Sequence, residues 1–259
     1  MRDCREVDRE RIGKMKAGRK KEKFGCNCWV AIALAVSLAV TILAVLPGCG
    51  GTPSISELWQ KSLDAEKNIT SKHYVINIYY QDTKFGSGLV ETTLIDVSGK
   101  NGHVQRILFG QEFSEYILVD GKQYSKVMGS GTWTESPATI GIEETATQQI
   151  GELSNLPSLA SSQENLGLET VNGVEAYHLT FELQPQNVSI AFPNIPAAEL
   201  SANQGATVDV WIDKDKSYKV RYQALIKNKL IAEGIGYGNT RVIIDITDIN
   251  KPINVAPPI

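Results

Sequence analysis

TVDVWID, residues 207–213, is a stretch in which apolar and polar side chains alternate, and it decides the fold together with YKVRYQALI (218–226) and RVIIDI (241–246). Successive side chains of a β-strand point to opposite faces, so each stretch presents one apolar face. These stretches predict an antiparallel sheet that is apolar on one side. The residues expected to share that face include Val208, Val210, Ile212, Val220, Tyr222, Val242, Ile244 and Ile246.

The same alternation continues upstream of residue 207. It predicts strands near 73–80, 87–98, 103–110, 113–120 and 122–128, followed by a hairpin whose turn is Val171-Asn172-Gly173-Val174. The strands follow one another too closely for a crossover helix, so neighbours must pair antiparallel.

Three segments depart from the strand pattern. Ser54-Ile-Ser-Glu57 matches a capping box and begins a helix predicted over about 54–68. Residues 134–170 contain prolines and irregular apolar spacing, which predict short helices and loops rather than strand. Residues 185–204 form another interruption, in which Pro196 is expected to begin a short helix. The fold class is therefore α+β.

The chain before this domain has the pattern of an export signal. Residues 29–48 begin with 18 uncharged residues, Trp29 to Leu46, and follow a basic region, residues 1–28. A basic region, an apolar run and then small residues are typical of a secretory signal peptide. Met15 offers an alternative start, because residues 1–14 mix acidic with basic side chains. The run also just reaches the length of a bilayer-spanning helix, so an uncleaved anchor is an alternative.

Leu46-Pro47-Gly48-Cys49 ends the apolar segment and resembles a bacterial lipobox. The resemblance implies that Cys49 carries a diacylglycerol thioether and becomes the mature N-terminus, with residues 49–53 as a lipidated tether to a domain at 54–259. The alternative is a plain membrane anchor with an incidental cysteine. Both place the domain at the extracytoplasmic face of the cell membrane, because the positive cluster stays inside.

Charge and residue usage argue against several functions. Residues 1–28 carry ten of the 26 Lys and Arg, which leaves residues 49–259 with a net charge of −8. An acidic domain lacks the clustered basic surface that binds nucleic acid. The four cysteines end at Cys49 and the three histidines lie far apart, so neither a metal site nor a cofactor is expected. No catalytic motif occurs, and Asp213–Ser217 departs from a calcium loop and is interpreted as a hairpin turn.

A set of short motifs, in this order, resembles a known family. They are Trp133 after a Gly-rich turn, VNGVEAY (171–177), VWID (210–213), YKVR (218–221) and DINKPIN (248–254). Together with the lipobox, these motifs resemble LppX/LprG-type lipoproteins of the LolA-like lipid carriers, over about residues 50–258. The resemblance implies a strongly curved half-barrel of antiparallel strands. Helices would cover its concave face and enclose an apolar cavity for acyl chains of envelope lipids.

Two functional hypotheses follow, and neither is enzymatic. The first is a membrane-anchored carrier of an amphiphilic lipid or glycolipid, with the eight apolar residues of the sheet as candidates for its cavity wall. The second is an interaction protein of the same fold, which senses lipids or lipoproteins and regulates a membrane partner such as a transporter.

Overall fold

The computed structural model describes residues 52–139, 141, 142, 144 and 153–258. The predicted basic region, apolar segment and lipobox, including Cys49, lie outside the described residues. Within the described part, no helix is long and apolar enough to cross a membrane.

The described domain is built on one sheet of 11 strands. Their order across the sheet is β6-β5-β4-β3-β2-β1-β11-β10-β9-β8-β7. The edge strands β6 and β7 each have one neighbour in this order, so the sheet is not closed. The strands are β1 (Ser71–Thr83), β2 (Gly86–Ser98), β3 (Asn101–Leu108), β4 (Gln111–Val119), β5 (Lys122–Val127), β6 (Thr134–Pro137), β7 (Ser162–Val171), β8 (Val174–Leu183), β9 (Ala206–Asp213), β10 (Lys219–Ala232) and β11 (Gly236–Thr247).

Every strand pair is antiparallel, as the short connections predict. The two halves of the chain meet where β1 pairs with β11, and Ile76 lies opposite Ile244. The other neighbours are consecutive strands, whereas this pair joins residues far apart in sequence. The predicted turn at Asp213–Ser217 is confirmed, because an Asp213 carboxylate oxygen accepts hydrogen bonds from the backbone N–H groups of Asp215 (2.8 Å) and Lys216 (2.7 Å).

One face of the sheet, here called the core face, carries the main hydrophobic cluster. Ile76, Ile95, Val104, Leu179 and Val208 are among its fully buried members. The helices α1 (Ile55–Glu66), α2 (Leu156–Leu159) and α3 (Pro185–Ala191) add residues to the same cluster.

The helix α1 confirms the predicted N-terminal helix. Its first turn is capped by the Ser54 hydroxyl, which accepts a hydrogen bond from the Glu57 N–H at 3.2 Å. Trp59 anchors the helix to the sheet, because its ring meets Phe181 edge to face at 5.4 Å and its indole N–H donates to the Ser154 carbonyl.

The predictions for the two later interruptions are partly wrong. Residues 134–170 include β6 and most of β7, whose side chains are too polar to show the alternation of a core strand. These strands can be polar because most of their side chains are exposed on both faces of the sheet. Pro196 begins no helix: residues 196–203 form successive turns, and the helix of this connection begins at Pro185.

Val220 does not share the core face, so its predicted position is wrong. Lys219 lies opposite Ile212 and Arg221 lies opposite Trp211, so Val220 is an extra residue in β10. Such a bulge breaks the alternation of side chains. Lys219 therefore turns to the core face, whereas Val220 packs on the outer face in a second cluster with Val171, Ala176 and Trp211.

Candidate binding cavity

A cavity of about 530 Å³ lies against the core face. This volume is within the range of about 300–1,000 Å³ that is usual for small-molecule sites. Strands β1, β9, β10 and β11 form one side, and residues from the connections before β7 and after β8 form the other. The lining residues are Ile78, Tyr80, Leu153, Phe192, Asn194, Ile195, Val208, Tyr222, Gln223, Ala224, Ile226, Lys229, Thr240, Val242 and Ile244.

The eight candidate residues divide into three groups. Val208, Tyr222, Val242 and Ile244 line the cavity. Val210, Ile212 and Ile246 are buried in the main cluster without lining it. Val220 belongs to the second cluster on the other face. Contact of the first group with a lipid stays a prediction.

Several lining residues were not among the candidates. Ile78 and Tyr80 continue the apolar face of β1, but their place beside β11 depends on a pairing that no local signal shows. Phe192 and Ile195 follow α3 in a connection that has no regular period. Their apolar character was the only available signal, and it did not specify which face they cover.

Polar groups meet at one end of this apolar cavity. Thr240 lies opposite Tyr80 across β1 and β11, and its buried hydroxyl has no hydrogen-bond partner among the described residues. Lys229 pairs with Glu199 and donates to the Leu230 carbonyl at 3.2 Å. The Tyr80 phenol and the Lys229 ammonium therefore give this end of the lining hydrogen-bonding groups.

Burial shifts the acidity of two tyrosines in the cavity wall. Desolvation raises the pKa of Tyr80, and the nearby charges of Glu199 and Glu91 raise it further. Desolvation also raises the pKa of Tyr222 well above its ordinary value. Both phenols therefore stay neutral near pH 7 and can donate or accept a hydrogen bond.

A buried charge borders the cavity at Tyr222. The Lys219 ammonium lies 4.9 Å from the ring centre of Trp59 and 6.0 Å from that of Tyr222, and it pairs with Glu66 at 2.8 Å. Burial lowers the pKa of Lys219, although the charge of Glu66 opposes this shift. The bulge that displaces Val220 is what brings this lysine to the core face.

The three histidines lie away from the cavity, each beside a carboxylate. His73 contacts Asp96 at 2.6 Å, His103 contacts Glu115 at 2.8 Å, and His178 contacts Asp209 at 3.2 Å. The described cavity wall contains no serine, cysteine or histidine, and no described group of three side chains could hold a metal ion. What the wall offers is apolar burial with a polar end.

Comparisons with known proteins agree with the motif pattern. Residues 55–255 match the family model of the LppX_LprAFG lipoproteins. No curated protein matches the sequence.

Two solved structures share the fold. Lipoprotein LppX of Mycobacterium tuberculosis is 19% identical with a TM-score of 0.52, over 78% of this chain and all of that one. LprF of Mycobacterium bovis is 14% identical with a TM-score of 0.51, over 80% of this chain and 99% of that one. The family match spans most of the described domain, and the predicted LppX/LprG resemblance is confirmed. The chain therefore belongs to the LppX_LprAFG lipoprotein family.

Proposed function

We propose that this protein is a membrane-anchored lipoprotein that binds an amphiphilic lipid or glycolipid and carries it within the cell envelope. In this proposal the sheet curves as a half-barrel, helices cover its concave face, and the acyl chains lie in the cavity. The observation that carries the proposal is a cavity of about 530 Å³ with an apolar wall, in a member of a lipoprotein family.

The chemistry of the cavity wall supports an amphiphile over a purely apolar ligand. Each methylene group that leaves water contributes about 0.8 kcal/mol, so an acyl chain beside Val208, Val242 and Ile244 would be held firmly. An ester or hydroxyl group of the same ligand could then hydrogen-bond to the Tyr80 phenol or the Lys229 ammonium. Release would require a competing apolar surface or an opening of the cavity.

Two substitutions on one strand test the proposal. Val208 and Val210 are both fully buried on the core face of β9, but only Val208 lines the cavity. We expect Val208→Phe to extend into the cavity, to cost less stability than Val210→Phe, and to reduce lipid occupancy by a factor of about ten or more. We expect Val210→Phe to overpack the core, to cost about 1–3 kcal/mol, and to retain lipid in its folded fraction.

The measurement is native mass spectrometry of the full chain released from detergent micelles, with thermal unfolding in the same detergent. It counts the lipids that stay bound to each variant. If unmodified chain carries no lipid and both variants are equally destabilised, the carrier proposal fails. The lipid-sensing interaction protein of the same fold would then be the better hypothesis.

A further inference from the structure

Every second connection between consecutive strands lies at the same end of the strands, which is an edge of the sheet distinct from the edge strands β6 and β7. The antiparallel order places the connections β1–β2, β3–β4, β5–β6, β8–β9 and β10–β11 at the same edge, together with the start of β7. This edge is called the rim below. The connections β2–β3, β4–β5, β7–β8 and β9–β10 lie at the opposite edge.

Large apolar side chains are exposed at the rim. Phe85 in the β1–β2 turn is 74% exposed and Phe109 in the β3–β4 turn is 78% exposed. Val127 and Met128, where β5 ends, and Ile190 in α3 are also exposed. Leu89, Phe113 and Tyr237 are exposed within the first four residues of strands that begin at the rim. Solvent-exposed aromatic and apolar side chains in neighbouring turns indicate an interaction surface.

The opposite edge provides an internal comparison. Its turns contain Gly99-Lys100, Asp120-Gly121, Asn172-Gly173 and Lys214–Lys216. None of the exposed large apolar side chains in the described chain lies in these turns, although Leu166 and Leu168 are exposed within β7, away from the rim. The β1–β2 and β3–β4 connections at the rim have two residues, like the β2–β3, β4–β5 and β7–β8 connections at the opposite edge. Turn formation therefore does not explain the apolar residues in these two rim turns.

Phe109 strengthens this contrast because it occupies an unfavourable backbone conformation. Phe109-Gly110 has φ values of 50° and 78°, and Asp120-Gly121 at the opposite edge has 52° and 78°. Asp and Asn tolerate positive φ at this turn position, whereas a bulky residue there is an outlier. A strained residue in a turn points to a function for its side chain rather than to a structural need.

The chain that precedes the domain is short enough to hold the rim close to a membrane. The Pro53 carbonyl accepts a hydrogen bond from Asn165, which is three residues, or about 10 Å, from the rim end of β7. Cys49 precedes Pro53 by four residues, which span about 14 Å at most. A lipid anchor at Cys49 can therefore reach the level of the rim but not extend far past it.

We propose that the rim docks on the surface of the bilayer that holds the anchor, with Phe85, Phe109 and Met128 entering the interface. Aromatic rings favour this depth because they have an apolar body and tolerate the polar headgroups. The charged residues near these apolar side chains are of both signs, for example Lys84 beside Phe85 and Glu112 beside Phe113. Docking therefore does not depend on anionic lipids. A zwitterionic phosphatidylcholine bilayer is sufficient.

Docking at the rim has a consequence for the proposed cavity. Tyr80, Lys229 and Thr240 lie near the rim ends of β1, β10 and β11. The polar end of the cavity is therefore the end nearest the bilayer in this orientation. The docking surface uses the proposed anchor for its reach, but it requires no ligand in the cavity.

Tryptophan substitutions at equivalent turn positions test the orientation. The full chain is reconstituted into phosphatidylcholine vesicles with brominated acyl chains, which quench nearby tryptophans. We expect the emission added by Phe109→Trp to be mostly lost, whereas that added by Asp120→Trp keeps its intensity. Both positions are exposed, and Phe109 shows that this turn accommodates an aromatic residue at nearly the same φ, so both variants should fold.

A further variant replaces the other two side chains that are proposed to enter the interface. Adding Phe85→Ser and Met128→Ser to Phe109→Trp should restore most of the lost emission, because fewer side chains then hold the rim in the interface. Equal quenching at positions 109 and 120, or none at 109, would overturn the proposal. If Phe109→Trp is quenched while native mass spectrometry finds no bound lipid, docking stands and the carrier function fails.

Discussion

At the residue scale, the most informative side chain is Lys219. It is 3% exposed, on the core face, between Trp59 and Tyr222. A buried ammonium is tolerated because Glu66 pairs with it and aromatic rings lie against it. Removing one partner of such a pair costs more than the pair itself contributes, because the remaining charge stays buried.

The two members of this pair should respond differently to substitution. Glu66→Gln leaves the lysine charge buried, and we expect it to lower the free energy of unfolding by about 3 kcal/mol. Lys219→Met keeps the packing against Trp59 and leaves Glu66 partly hydrated, so its cost should be below about 1 kcal/mol. Urea unfolding followed by tryptophan fluorescence measures both. Equal losses would show that the charge of Lys219 is not what makes the site sensitive.

The same lysine gives a pH dependence whose sign is fixed by its pKa. Burial lowers the pKa of Lys219 below its ordinary value of 10.5, so the unfolded chain binds the proton more tightly than the folded one. The cost of burying the charge is complete below the lowered pKa and is relieved as the pH rises from there towards 10.5. The unmodified protein should therefore gain stability relative to Lys219→Met over that alkaline range.

At the element scale, the contact between β3 and the segment around Ile142 leaves no space for an added methyl group. A β-carbon at Gly102 would lie 2.2 Å from a side-chain carbon of Ile142 and 2.7 Å from the Asp96 carbonyl oxygen. The backbone oxygen cannot move without disturbing the pairing of β2 with β3. Ile142 is 2% exposed, so it too has little freedom to retreat.

Two glycine substitutions in neighbouring strands test this tight contact. Gly102→Ala should overpack it and lower the free energy of unfolding by about 1–3 kcal/mol. Gly88→Ala in β2 meets no atom within 4 Å, so it should be neutral or stabilising by up to about 1 kcal/mol. Urea unfolding of both variants provides the comparison. A neutral Gly102→Ala would mean that the Ile142 segment is held less firmly than its burial suggests.

At the scale of the whole molecule, the pairing of β1 with β11 makes one sheet of the two halves of the chain. The cavity depends on this pairing, because Ile78 and Tyr80 of β1 complete a wall that Thr240, Val242 and Ile244 of β11 begin. The proposed transport also needs the attachment of the entire domain to the membrane. We propose that one residue, Cys49, which precedes the described domain, provides that attachment.

Replacing Cys49 tests the anchor. Cys49→Ala should abolish metabolic labelling by a fatty-acid probe and leave the heavier precursor uncleaved, because the thioether can no longer form. The variants Cys26→Ala and Cys28→Ala are matched controls that should keep both labelling and processing. Persistent labelling of Cys49→Ala would place the acyl group on another residue, and an unmodified chain without label would favour an uncleaved membrane helix.

The sequence by itself determined the antiparallel sheet, the capped helix α1 and most strand positions. Alternation of side chains and the Ser54 cap are local, since they depend on residues within a few positions of each other. The family resemblance was also visible in short motifs such as VWID at 210–213. Polar edge strands such as β7 were missed, because most of their side chains are exposed on both faces and show no apolar alternation.

Only the tertiary structure decided which apolar residues line the cavity. Val208 and Val210 have the same local pattern and are both buried, but only Val208 borders the cavity. The bulge at Val220 depends on the register of β10 against β9, and the rim depends on which turns the strand order brings together. These properties arise from contacts between residues distant in sequence, which no local periodicity encodes.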